Sequence, residues 1–172
     1  GGVVDSAVSI AAYMLPEGDI LTTRYKNGQE DVYRTKDKKL RVDSSQEGGF
    51  PQYPVLDEDE LDIPIAILVN ENSASASEIL AGAMKDYGRA TLVGTTTFGK
   101  GIVQNLYPLK DGSAIKMTVA KYFTPSGYDL HEKGIQPDVE VELDAELAAR
   151  GYYTLEEDNQ VQKAIEVLNG EN

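Results

Sequence analysis

Cysteine is absent from the chain, and histidine occurs once, at His131. The first absence excludes a disulfide framework, a thiol nucleophile and any zinc site built on thiolates, without fixing the compartment. The second excludes metal centres built from several imidazoles, and no metal or other cofactor is expected. Basic residues are in short supply: 16 Lys and Arg stand against 29 Asp and Glu in 172 residues, a net charge of −13. Nucleic-acid binding takes most of its affinity from Lys and Arg neutralising phosphates, so no nucleic-acid partner is expected. An anionic membrane surface is disfavoured on the same ground. No apolar run approaches the roughly 20 residues that cross a bilayer, and no charged-then-apolar leader opens the chain. Membrane insertion by this segment is therefore not expected. What is present is a 41% apolar composition. A chain of this length forms one domain that buries roughly 70% of its unfolded surface.

The apolar pattern divides the chain. Val4, Ala7, Val8, Ala11, Met14 and Leu15 follow the three-and-four spacing of an amphipathic helix, which Pro16-Glu17-Gly18 stops. Segments 20–25 and 31–35 flank Asn27-Gly28, which predicts a hairpin whose two central residues both take positive φ. Residues 36–62 are rich in Lys, Asp, Ser, Gln and Gly and read as a long surface loop, its acidic run 57–62 a solvated stretch. The continuous run Ile63 to Val69 predicts a central strand covered on both faces. A helix over 73–85 and a strand over 90–93 complete a parallel crossover unit. Segments 102–109 and 114–123 bracket Asp111-Gly112 as a second hairpin, 139–143 reads as a last strand and 158–168 as a C-terminal helix.

Two segments could carry chemistry. Asn70 to Glu78 lies between a buried strand and a helix, at the carboxyl edge of the sheet where ligands collect. A serine there meets the positive end of a helix, with the next backbone N–H available to a developing oxyanion. Ser75-Ala76-Ser77-Glu78 has capping-box spacing as well, and on these residues alone the capping reading is the stronger. Gly94 to Gly101 mimics a phosphate-binding loop, with Lys100 after the second glycine. It lacks the Ser or Thr that should follow the lysine and the helix that should follow both, so nucleotide binding is set aside. Glycines on both sides of Lys100 let the backbone pack closely and carry the amine inward, where it could serve as a general base or remain a solvated loop lysine. With no cysteine, a hydrolase built on serine needs a lysine or His131 to take the hydroxyl proton, and His131 sits in a polar turn that reads as exposed. Gln104 lies four residues past Lys100, an offset that puts both side chains on one face of a strand; alone it reads as an ordinary strand residue.

Together these segments resemble the carboxyl-terminal processing peptidases, also called tail-specific proteases. Segment 72–79 is similar to the family's nucleophile segment, 97–101 with Gln104 to its lysine segment, and 124–127 with 134–138 to its closing segment. The 25-residue offset to Lys100 matches Ser75 rather than Ser73 or Ser77. The resemblance implies Ser75 as nucleophile, Lys100 as general base and Gln104 as its orienting partner. Gly1-Gly2-Val3 resembles the end of the family's strand-to-helix motif, which implies an oxyanion hole made by the amides of Gly2 and Ala76.

The fold implied is α/β, a mixed sheet with packed helices like the crotonase and Clp-protease cores, present in part. The whole of 1–172 corresponds to the C-terminal part of a serine-peptidase catalytic core. Family members carry upstream strands of that core and a PDZ domain, so the chain is expected to be the latter part of a longer protein. The implied activity is a serine endopeptidase that cleaves polypeptides near their C-termini, in an extracytoplasmic compartment. The isolated piece is expected to self-associate or exchange strands, and its own activity is in doubt. The rival reading is a noncatalytic ligand- or peptide-binding module on the same core. An acyl-CoA enzyme would need a basic pocket that this acidic chain does not display.

Overall fold

The structure is a computed structural model that describes residues 1–37, 39–44 and 63–170. Helix α1 (Val4–Met14) buries Ala7, Val8, Ala11 and Ala12 and ends where Leu15 becomes extended before Pro16. That is the conformation a following proline imposes. Strands β1 (Gly18–Tyr25) and β2 (Glu30–Lys36) form the first hairpin. Its turn differs from the expected one: only Gly28 has positive φ, and Tyr25 N–H bonds to the Gln29 carbonyl, so the loop holds three residues. The hairpin of β6 (Ile102–Pro108) and β7 (Ala114–Phe123) repeats this solution, with Gly112 at φ 87° and Leu109 N–H bonded to the Ser113 carbonyl. A single left-handed glycine after an ordinary turn closes the loop without putting asparagine or aspartate in that conformation.

Within 36–62, expected as loop, residues 39–44 form strand β3 (Lys39–Ser44), paired antiparallel with β2. Leu40 is buried while Lys39 and Arg41 are exposed, an alternation too short to stand out among the polar residues around it. The acidic run 57–62 lies outside the described residues. The resulting antiparallel sheet has the order β3-β2-β1-β7-β6.

Strand β4 (Ala66–Val69), helix α2 (Ala76–Asp86) and strand β5 (Thr91–Gly94) form the crossover unit, and β8 (Val139–Glu140) joins the far side of β5. The expectation that the 63–69 run is central does not hold. Among the described residues β5 is the middle strand of β4-β5-β8, and Leu68 of β4 is 43% exposed. A continuous apolar run speaks of burial and not of how many strands flank it. Parallel and antiparallel strands thus occupy separate sheets, within the α/β class expected.

Helix α2 joins them. Ala76, Ile79, Ala83 and Met84 pack with α1 and the antiparallel strands, while Ala81 packs with Val69, Leu92, Leu130 and Ile135 on the parallel side. Full burial of Met84 and Leu92 contributes roughly 1.5–3 kcal/mol each. Gly82 permits the close approach: a Cβ there would stand 2.9 Å from Thr124 and 3.0 Å from Ile135. Helices α3 (Ala145–Arg150) and α4 (Asn159–Leu168) follow, each capped by an aspartate, Asp144 and Asp158. No helix of the described residues is long and apolar enough to cross a membrane.

Candidate active site

Beyond β4 the chain turns on itself. Ser73 N–H bonds to the Asn70 carbonyl at 2.9 Å, Ser73 Oγ accepts from Asn70 N–H at 3.2 Å, and Asn72 N–H donates to Asn70 Oδ1 at 2.9 Å. This tight turn uses Ser73 for its own closure and delivers Ser75 to the first turn of α2. Ser75 has φ 59° and ψ −116°, a conformation L residues avoid at a cost of about 1–3 kcal/mol. Strain of this kind at a strand-to-helix turn is how a nucleophile is lifted clear of a sheet edge. Ser75 is half-buried, and Ala76 is the first helical residue, where an N–H has no intrahelical acceptor. Gly1 lies against the turn, since a Cβ on it would stand 2.7 Å from the Ala74 carbonyl oxygen, whereas Gly2 has nothing within 4 Å of such a Cβ.

Ser75 and Glu78 do stand as a capping box, with the Ser75 N–H donating to Glu78 Oε2 at 2.8 Å. The carboxylate reaches well beyond that box. Oε2 also accepts the Lys100 N–H at 2.8 Å, and Oε1 accepts the Gly99 N–H and the Thr97 hydroxyl, both at 2.6 Å. Glu78 is 0% exposed. Phe98 N–H bonds to the Ser73 carbonyl at 3.0 Å, a second tie between the two segments. The segments that carry Ser75 and Lys100 are therefore brought together through their backbones.

The lysine loop is enclosed from its other side. Gly99 has φ 85°, and a Cβ on it would stand 2.8 Å from Gly134 N; Gly134 has φ 69°, and a Cβ on it would stand 2.2 Å from the Thr97 carbonyl oxygen. These two glycines allow residues 130–135 to close over residues 97–101. Thr97 Oγ1 accepts the Ile135 N–H at 2.8 Å, and the Gly99 carbonyl accepts the Glu132 N–H at 2.9 Å. His131, expected as an exposed loop residue, is partly buried with Nδ1 3.3 Å from the Gly99 carbonyl oxygen. The segment 94–101 runs into β6 rather than a helix, as the rejection of a phosphate loop required.

Lys100 precedes β6, and the β6–β7 register shifts between Val103 and Gln104. Because Lys100 lies outside the strand, the four-residue strand offset does not relate its side chain to that of Gln104, and the residue skipped at the register shift is Val119 of β7. Its Nε2 donates to Thr118 Oγ1 at 3.2 Å. Among the described residues no group of three or more His, Cys, Asp or Glu side chains could hold a metal ion. Glu78 and Thr97 are what sequence reasoning missed. Glu78 was legible only as a capping partner, because its other ligands lie 19–22 residues further on.

A strained serine between a parallel strand and a helix, tied to a lysine loop, marks the candidate active site of an α/β protein. The characteristic pattern of peptidase family S41 matches residues 1–141. A carboxyl-terminal-processing protease of Synechocystis is 39% identical over 99% of this chain and 35% of its own length. A carboxy-terminal-processing protease of Bartonella bacilliformis is 41% identical over 88% of this chain and 31% of its own. Among solved structures, a photosystem II D1 C-terminal processing protease superimposes with a TM-score of 0.62 at 34% identity, over 83% of this chain and 32% of that one. The chain belongs to peptidase family S41 and spans about a third of the length of these relatives.

Proposed function

We propose that the chain is the C-terminal part of the catalytic core of a serine endopeptidase that uses a Ser75–Lys100 dyad to cut polypeptides near their C-termini. The observation that carries this reading is the convergence of the Ser75 and Lys100 amides on one oxygen of Glu78, each at 2.8 Å. Two residues 25 positions apart are held side by side, one strained like a nucleophile and the other able to act as base.

In this reading the Lys100 amine takes the Ser75 hydroxyl proton as Oγ bonds to the peptide carbonyl carbon. The Ala76 amide, with that of Gly2, receives the oxyanion. The intermediate collapses with cleavage of the C–N bond, and Lys100 returns the proton to the leaving amine. Water then attacks the Ser75 ester with Lys100 again as base, releasing the new carboxylate and restoring the hydroxyl. The amide oxygen of Gln104 orients the lysine while its Nε2 stays on Thr118. Strand β6, at the edge of the described sheet, offers main-chain groups to an extended substrate or to a second copy of the chain. The intact protein acts outside the cytoplasm in this reading, which the family resemblance supports.

A serine-reactive fluorophosphonate applied to the 172-residue chain, with peptide mass mapping, tests the dyad. The expected adduct is on Ser75 and disappears in Ser75→Ala, Lys100→Ala and Lys100→Arg. The arginine form is decisive because a guanidinium stays protonated and cannot act as base. Labelling of Lys100→Arg at the wild-type rate, or an adduct on another serine, overturns the proposal.

A further inference from the structure

Glu78 has more partners than an N-terminal helix cap requires. A capping glutamate needs one bond, to the backbone N–H of the cap residue. Here that bond is one of four, and the other three go to Thr97, Gly99 and Lys100. An ionised carboxylate is acceptor-only, with about four lone-pair positions, and in this site every position faces a donor. The Thr97 hydroxyl is fixed in direction as well, because its oxygen already accepts the Ile135 N–H and its proton goes to Glu78. A carboxylate fully removed from water is tolerated only when its hydrogen-bonding capacity is met in this way.

The two oxygens have different tasks. Oε1 holds the loop through Thr97 and Gly99, and Oε2 holds the two residues of the proposed dyad. Because the Ser75 and Lys100 nitrogens each lie 2.8 Å from that single atom, they stand no more than twice that distance apart. The Ser75 bond also acts on the residue with the strained φ of 59°. We infer that Glu78 is a positioning residue of the proposed reaction, whose carboxylate sets the distance between the nucleophile turn and the lysine loop without touching substrate. This rests on the Ser75–Lys100 reading above.

Glu78→Gln is the informative variant. It preserves shape, but in either orientation its NH2 group meets at least one backbone N–H, from Gly99 or from Ser75 and Lys100. The limiting rate constant of fluorophosphonate labelling at Ser75 is expected to fall at least tenfold, with the half-saturating reagent concentration within twofold of wild type. Glu78→Ala, where it folds, should fall further, and Gln should restore part of that loss. Asp158→Ala serves as the structural comparison: Asp158 is another buried acid, and it caps α4 through Gln160 and Val161. It should lower the melting temperature and leave the labelling rate constant unchanged. A folded Glu78→Gln protein that labels at the wild-type rate overturns the inference. Should Glu78→Gln not fold, Thr97→Val decides, since removal of one donor to Oε1 should slow labelling at least threefold and a wild-type rate would again overturn it. Absence of labelling both in the wild-type chain and in a version extended through the upstream core and PDZ domain overturns the dyad reading itself, and the role of Glu78 with it. Wild-type labelling with an unmoved Glu78→Gln rate removes only the positioning role.

Discussion

The two sheets are built to different tolerances. In the parallel unit, strands of four residues and a helix buried on nearly all sides bring residues 73–78, 97–101 and 130–135 into one hydrogen-bonded cluster around Glu78. In the antiparallel sheet the β6–β7 hairpin is long, and its far end is exposed, with Leu106 at 68% and Met117 at 51%. The first region holds a strained serine and two left-handed glycines because many bonds fix each backbone atom. The β6–β7 hairpin is held by its ladder, with one register shift between Val103 and Gln104, and takes positive φ only at Gly112 in its turn. Strain persists where the surroundings over-determine it, and the proposed chemistry lies in that region.

The sharpest way to break the contrast is Gly134→Ala. The substitution meets both a positive φ and a backbone oxygen at 2.2 Å, so it should cost on the order of 3 kcal/mol or more. Gly112→Ala, with positive φ but nothing within 4 Å, should cost about 1 kcal/mol. Urea unfolding of the two variants measures the difference, and equal losses would deny that the loop around Lys100 is the more tightly fixed.

Alkaline titration sharpens the comparison from the antiparallel side. Burial, with Asp5 and Asp31 nearby, pushes the Tyr33 phenol up to about 12. The unfolded chain releases this proton near pH 10, while the folded chain keeps it, so Tyr33 contributes a loss of stability as pH rises from about 10 towards 12. Melting temperatures over that range should fall less steeply in Tyr33→Phe, and parallel curves for the two proteins would refute the assignment.

A smaller effect separates strain from chemistry at Ser75. Glycine adopts the local φ readily, so Ser75→Gly should be more stable than Ser75→Ala by about 1 kcal/mol, although neither labels. A Ser75→Ala protein as stable as Ser75→Gly would show that the turn is not strained. The smallest change is expected at the hairpin end, where Leu106→Ser should stay within about 0.5 kcal/mol of wild type. A larger loss would mean that this end is covered in solution.

Much of the architecture was legible because it depends on period and punctuation. The apolar spacing of α1, the crossover unit and both hairpins follow from side-chain alternation and turn residues close in sequence. Strand β3 was missed because Leu40 and Val42 gave too short an alternation. The place of β4 at the edge of the described sheet was misread because apolarity reports burial and not the number of neighbouring strands. At the candidate site, motif and offset named Ser75 and Lys100 as the proposed dyad, and Gln104 came by the same route, although Lys100 lies before β6 and the strand offset does not relate the two. The pairing of Gln104 with Thr118, one residue past the register shift, is set across the sheet and not by local sequence.

The sequence by itself determined the chemical inventory: no thiol, one imidazole, a serine at a helix start and a lysine between glycines. It also determined the local elements, since caps, turns and apolar period act over a few residues. Only the tertiary structure decided that Glu78 serves both candidate segments, that Gly99 and Gly134 face each other's backbones, and that His131 lies on the Gly99 carbonyl. Those contacts join residues 19 or more apart, where packing and the need to satisfy a buried carboxylate choose the partners and no local pattern records the choice.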